Sequence, residues 1–150
     1  MSKKFISIYF SCCIICLILS ACTGTDTIPR FWPISITFIA DKHINNNVRL
    51  PVDIIAVKNS DGILDIGPEK WFGDPERDTL LREEIVKLAI GNEGKRKIDI
   101  KISSEIKHLI VFSDYTDLTE RKGQQIVLDL DKWKWNFIIY LRENKMELHK

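Results

Sequence analysis

The chain has 150 residues, 45% hydrophobic and 29% charged, with 22 Lys and Arg against 21 Asp and Glu for a net charge of +1. That length suits one domain with a sizeable core and leaves little room for a second. So neutral a balance argues against nucleic acid or an anionic membrane surface as the main partner.

The first 22 residues carry their own message. Lys3 and Lys4 form a positive start, Phe5 to Leu19 an apolar run, and Ser20 and Ala21 a small-residue cleavage site, the three parts of an export signal. A membrane-spanning helix is the competing reading, but the run is about 15 residues against the roughly 20 that a bilayer core requires. The order Leu19-Ser20-Ala21-Cys22 resembles the bacterial lipobox, which implies diacylglyceryl transfer to Cys22 and cleavage before it. Sulfur suits that position because a thiolate is a strong nucleophile and forms a stable thioether. Two or three chains such as palmitate, each buried methylene contributing about 0.8 kcal/mol, hold where one chain does not. Thr23 follows, where lipoproteins kept in the inner membrane of enteric bacteria often carry Asp, so the resemblance places this chain at the periplasmic face of the outer membrane.

The expected division is therefore a signal peptide over 1–21, a lipidated N-terminus and linker over 22–31, and one folded domain over 32–150. Removing the signal leaves about 129 residues (150 less 21), with 20 basic side chains against 21 acidic ones. Cys12, Cys13 and Cys16 leave with it, so Cys22 is the remaining cysteine and no internal disulfide can form.

After the polar spacer Thr23–Arg30, Ile34, Ile36, Phe38 and Ala40 alternate with period two, which predicts a first strand. Asp41 to Asn47 is loop chemistry, since Asn and Asp tolerate left-handed backbone and bond their own main chain. A second strand follows over Pro51–Val57, with Val52, Ile54 and Ala56 on one face and Ile55 and Val57 on the other. Asn59 to Gly62 signals a turn. Pro68 at a first helical position, followed by Glu69, predicts a short helix within Gly67–Phe72.

Asp78 to Ile90 supports two readings. Leu80, Leu81, Ile85, Leu88 and Ala89 make a helical stripe, while Val86, Leu88 and Ile90 alternate; a break near Arg82 and a strand over Glu84–Ile90 is the favoured one. A turn at Asn92-Glu93-Gly94 leads to a strand with one wet face, where Ile98, Ile100 and Ile102 alternate with Lys97, Asp99 and Lys101. Leu109 to Phe112 is apolar on both parities, which predicts a central strand buried on two sides. Apolar positions are then even through Ile126, Leu128 and Leu130 but odd through Trp133, Trp135, Phe137, Ile139 and Leu141. A regular strand cannot change parity, so a turn or bulge near Asp131-Lys132 divides two strands, expected as a hairpin. Met146 and Leu148 end the chain as a short strand. Seven to eight short strands with one helical insertion make a mainly β protein, a two-sheet antiparallel β-sandwich.

Catalytic and metal-binding patterns do not emerge. His43, His108 and His149 lack ligand or triad partners at a recognisable spacing, and His108 reads as a strand-edge residue. A calcium loop around Asp61-Gly62 would place ligands at Val57 and Pro68, and the glycines are too scattered to cradle a phosphate. Carboxylate pairs such as Glu83 and Glu84 read as solvated faces. Trp133 and Trp135, beside Lys132 and Lys134, read as core rather than a binding strip. The expectation is a non-enzyme with no metal and no cofactor beyond the acyl chains on Cys22.

Several stretches resemble the outer-membrane lipoprotein of the bacterial type VI secretion system, the TssJ/SciN-like family. Asn46-Asn47-Val48-Arg49-Leu50-Pro51, running into Val52 to Val57, is similar to the family's Asn-rich loop, Arg-Pro pair and apolar strand. Ile66 to Phe72 is similar to its Phe-centred segment, and Leu109-Ile110-Val111-Phe112-Ser113-Asp114-Tyr115 to its strand entering an aromatic and acidic corner. The chain departs from the pattern where Leu50 separates Arg49 from Pro51, where Val57-Lys58-Asn59 replaces Tyr-Gln-Leu, and where Asn92-Glu93-Gly94 replaces Pro-Gly. The likeness spans most of residues 34–148. It implies a transthyretin-like sandwich on the outer membrane that holds the periplasmic domain of a large inner-membrane secretion subunit. The loop that makes that contact in the family corresponds to Asp41, Lys42, His43, Ile44, Asn45, Asn46, Asn47, Val48 and Arg49. A lipid-anchored immunity or inhibitor protein, and a pilotin-like chaperone, are the alternatives from other functional classes.

Overall fold

The computed structural model describes residues 31–58, 66–75, 77, 85–92, 94–117, 119, 121–130 and 135–149. The expected export signal, Cys22, the spacer Thr23–Arg30, the expected turn at 59–62, the expected break near Arg82, the expected turn at Asp131-Lys132 and Trp133 lie outside them.

Among the described residues eight strands run β1 (Phe31–Ala40), β2 (Leu50–Val57), β3 (Ile85–Ile90), β4 (Lys95–Ser103), β5 (His108–Ser113), β6 (Gln125–Asp129), β7 (Asn136–Leu141) and β8 (Met146–Leu148), with a helix α1 over Pro68–Gly73. They form two four-stranded sheets, ordered β4-β1-β7-β8 and β3-β2-β5-β6. Period two does the sorting. Ile34, Ile36 and Phe38 of β1, Val52 and Ile54 of β2, Leu109 and Val111 of β5, and Phe137, Ile139 and Leu141 of β7 all meet in one core between the sheets. Burying each such side chain contributes about 1.5–3 kcal/mol.

The two-sheet sandwich stands as expected, and two details of connection differ. All observed strand pairs are antiparallel except β1 with β7, which run parallel from Ser35 opposite Asn136 to Ala40 opposite Leu141. Parallel neighbours need a long crossover, and everything between the two strands serves as one, so no local sequence pattern announces the pairing. The hairpin expected between β6 and β7 is also absent, because these strands lie in different sheets. The parity change therefore marks a passage from one sheet to the other, where the count of inward residues begins afresh. His108, read as an edge residue, opens β5, a central strand flanked by β2 and β6. Trp135 packs against the core and stacks on Trp32 with ring centroids 4.5 Å apart.

The two faces of β2 and β5 are both used. Ile55, Val57, Ile110 and Phe112 point away from the main core and are covered by Trp71 of α1, whose ring stacks on Phe112 at 5.3 Å. Asp53 lies on that same outer face, only 1% exposed. Trp71 Nε1 donates to its Oδ2 at 3.0 Å and Arg77 Nε at 2.7 Å, while the Arg77 guanidinium sits over the Phe72 ring at 4.7 Å. A carboxylate removed from water needs such donors, so Asp53 staples the helical segment to the sheet. The Asp114 carboxyl nearby is pushed above its ordinary pKa by partial burial, with Arg77 opposing and Asp53 adding to the rise.

Replacing Asp53→Ala leaves the Trp71 N–H without an acceptor and strips Arg77 of its partner. Urea denaturation is expected to show a loss of about 2–4 kcal/mol, and a smaller one for Asp53→Asn, which keeps an acceptor oxygen. An unchanged midpoint for Asp53→Ala would contradict the staple.

Candidate functional site

The Asn-rich connection between β1 and β2 is a short 3-10 turn over Ile44–Asn47 set in residues 41–49. Asn45, Asn46 and Asn47 have φ of 46°, 55° and 65°, three consecutive residues in the left-handed region. For a residue with a Cβ this backbone costs about 1–2 kcal/mol, and asparagine is among the few non-glycine types that visit it routinely. The three asparagines are therefore a backbone specification as well as a polar surface.

What holds the turn is a set of contacts from distant parts of the chain. Asn45 is 1% exposed, and its Oδ1 accepts from the Thr116 N–H at 2.7 Å and the Thr116 hydroxyl at 3.0 Å. Its backbone N–H donates to the Glu143 carbonyl at 2.9 Å, and its own carbonyl accepts from Val48 N–H at 3.0 Å. Asn46 Nδ2 donates to Thr116 Oγ1 at 3.3 Å. Ile44 beside it is fully buried in the main core, so the turn is stapled by one apolar and one polar side chain together.

The flanks are equally tied. Asp41 N–H donates to the Leu141 carbonyl at 2.9 Å, while Arg142 Nη1 reaches the Asp41 carboxylate at 3.2 Å and Arg142 Nε reaches Glu147 Oε2 at 2.9 Å. The hydrogen bond from Arg142 holds the half-buried Glu147 carboxyl below its usual range. The Arg142 guanidinium also lies over the Tyr140 ring at 4.8 Å. Tyr115, 1% exposed, donates its hydroxyl to the Lys145 carbonyl at 2.8 Å; burial pushes its pKa up, and the Asp41 charge adds to the shift. At the other side Ala40 N–H donates to the Gly94 carbonyl at 2.7 Å. Gly94 has φ of +85°, a conformation that favours a residue without Cβ at this turn.

The nine residues singled out by sequence thus divide. Lys42, His43, Asn46, Asn47, Val48 and Arg49 are exposed, Asp41 is half-buried in its ion pair, and Ile44 and Asn45 face inward. Ile44 and Asn45 position the others and present almost no surface of their own. Val48, 56% exposed, is the most open of the large hydrophobic side chains among the described residues. Thr116 and Arg142 shape the site without having been foreseen. They lie 71 and 101 residues along the chain from Asn45 and Asp41, respectively, and no spacing rule links them. Chemically, the arrangement is a rigid surface loop offering amides, cations and one apolar side chain.

Several solved structures superpose on most of this chain. The T6SS lipoprotein TssJ1 from Pseudomonas aeruginosa matches with a TM-score of 0.67 and 15% identity, over 80% of this chain and 96% of that one. Serratia marcescens Lip, a membrane bound component of the Type VI Secretion System, matches with a TM-score of 0.65 and 13% identity, over 82% and 98%.

The fold is that of the type VI secretion lipoproteins.

A chain of a Type VI membrane complex matches likewise, with a TM-score of 0.66 and 16% identity over 81% of this chain and all of that one, 100%. No protein-family model matches the sequence, and no curated protein matches it. The likeness read from the Asn-rich loop and the Leu109–Tyr115 corner is therefore met at the level of the backbone.

Two substitutions at Asn45 separate its two roles. Asn45→Gly loses the Thr116 bonds but keeps an easy left-handed backbone, and is expected to cost about 1–2 kcal/mol. Asn45→Ala loses the bonds and strains the backbone as well, for about 2–4 kcal/mol. Equal stability of the two variants in urea would show that the left-handed turn is not what the asparagine supplies.

Proposed function

We propose that this chain is an outer-membrane-anchored periplasmic lipoprotein that docks the periplasmic domain of an inner-membrane secretion subunit, and so helps assemble a trans-envelope type VI membrane complex. Its role is to bind, without catalysis. The observation that carries the reading is the pinned left-handed loop over residues 41–49, standing on a fold shared with secretion lipoproteins. A chain of that fold in a Type VI membrane complex supports a place in such an assembly.

Preorganisation is the physical argument. A loop free in solution gives up backbone and side-chain freedom when it binds, at about 0.5–1.5 kcal/mol for each rotamer-rich side chain fixed. Here Thr116, Glu143 and Leu141 have already set the backbone, so partner contacts convert more fully into affinity. β1 runs from Phe31 to Ala40 and delivers its second end directly to the loop, so the loop is carried on a strand of the sandwich. Among the described residues no helix is long and apolar enough to cross a membrane, so on this reading attachment falls to the acyl chains.

Two measurements test the reading. The variant Lys42→Ala/His43→Ala/Val48→Asp alters only exposed side chains, so its thermal midpoint should stay close to that of the parent. Capture of the inner-membrane subunit's periplasmic domain should fall at least tenfold; undiminished capture would move the docking surface elsewhere. In cells, Cys22→Ser should abolish labelling by palmitate and release the protein from the membrane fraction, and persistent labelling would refute acylation at that residue.

A further inference from the structure

Among the described residues the sandwich is open along one side. β3 and β4, joined through residues 91–94, are the edge strands of the two sheets on that side. Their core-facing residues Val86, Leu88, Ile98 and Ile100 pack against the main core yet stay half-buried. Their counterparts on the central strands, such as Ile36 and Ile54, are at most 1% exposed. An apolar strip therefore lies open between two strand edges.

The rim of that strip is cationic. Over nine residues β4 carries Lys95, Arg96, Lys97 and Lys101, all exposed, against the single acid Asp99. Asp99 is engaged by the Ser35 hydroxyl and lies 3.5 Å from Lys97. Lys95, Arg96 and Lys101 make no ion pair among the described residues. β4 pairs with β1 on one side, and no strand among the described residues pairs with its other edge.

We infer that the free edge of β4 takes up an extended acidic segment of a protein partner as an added strand. Outward backbone groups of β4 supply the ladder, and a strand's alternation supplies selectivity. One face of the incoming segment would lay apolar residues on Ile98, Ile100, Val86 and Leu88. The other face would bring carboxylates to Lys95, Lys97 and Lys101. Lysines on an edge deter indiscriminate pairing, but a purely deterrent edge refuses every strand, whereas this one has an apolar floor that rewards a strand of opposite charge. A second copy of this chain is the wrong occupant, since edge-to-edge pairing of β4 with itself opposes like charges.

The inference deepens the docking reading and rests on it for the partner's identity. The start of β4 is tied to the docking loop through the Ala40–Gly94 bond and through Asn92 Nδ2 to the Lys42 carbonyl at 3.4 Å. One partner can therefore lie across both surfaces.

The test uses the chain from residue 22 onward and a synthetic peptide of about ten residues, the length of β4 with a small margin, alternating Val with Glu. Binding should slow hydrogen exchange at alternate amides within 95–103. It should weaken at least tenfold with Lys95→Glu/Arg96→Glu/Lys101→Glu, and vanish when the peptide is N-methylated at every second residue. A Val/Lys peptide should bind the reversed variant and not the parent. Equal binding of the N-methylated peptide, indifference to charge reversal, or retention by phosphatidylglycerol vesicles with no peptide binding would each overturn the proposal. The Lys42→Ala/His43→Ala/Val48→Asp chain should still bind the peptide, so failure of the loop reading and failure of the edge reading show separately.

Discussion

A strand sends successive side chains to opposite faces, and the rest of this structure depends on that constraint. Two sheets can share a core only if each strand gives alternate residues to it. Edge strands then have one dry face, and central strands covered on their backs have two. β4 shows the first case, with Ile98, Ile100 and Ile102 turned in and Lys97, Asp99 and Lys101 turned out. β5 shows the second, with Leu109 and Val111 in one core and Ile110 and Phe112 in another. The small second core is what gives α1 a place to dock, and Asp53, a buried polar residue on that face, supplies its hydrogen-bonding anchor.

The loop over residues 41–49 is a consequence of the same frame. β1 and β2 belong to different sheets, so the chain must cross between them at the end of the sandwich. The crossing is made compact by three left-handed asparagines. Their backbone conformation still opposes folding, though by less than the about 1–2 kcal/mol it costs most residues with a Cβ, and the bonds from Thr116, Glu143 and Val48 offset it. Residues that cross the gap and residues that face outward are thereby separated within one short segment: Ile44 and Asn45 belong to the core, and their neighbours to the surface. A loop so constructed can change its exposed side chains with little effect on the fold, which suits a recognition surface.

Edge and loop meet at Gly94, where the turn into β4 bonds the end of β1. Charge is distributed unevenly around this corner although the chain as a whole is nearly neutral. Arg142 is absorbed by Asp41 and Glu147, whereas Lys95, Arg96 and Lys101 of β4 are exposed and make no ion pair among the described residues. Net charge therefore describes the molecule's solubility better than its binding surface.

The sequence by itself determined the class of fold, nearly every strand and the short helix, because alternation, Pro68 at a helix start and the two-faced Leu109–Phe112 run are local properties read within a few residues. It also determined where the chain crosses at the loop, through the tolerance of asparagine for left-handed backbone, and it raised the resemblance to secretion lipoproteins that the backbone bears out. Only the tertiary structure decided that β1 and β7 run parallel, that β6 and β7 belong to different sheets, that Asp53 is buried against Trp71 and Arg77, and that Thr116 and Arg142 hold the loop. These pairings join residues far apart in the chain. Their energy comes from geometry the whole fold must first create, so no short window of sequence carries their signal.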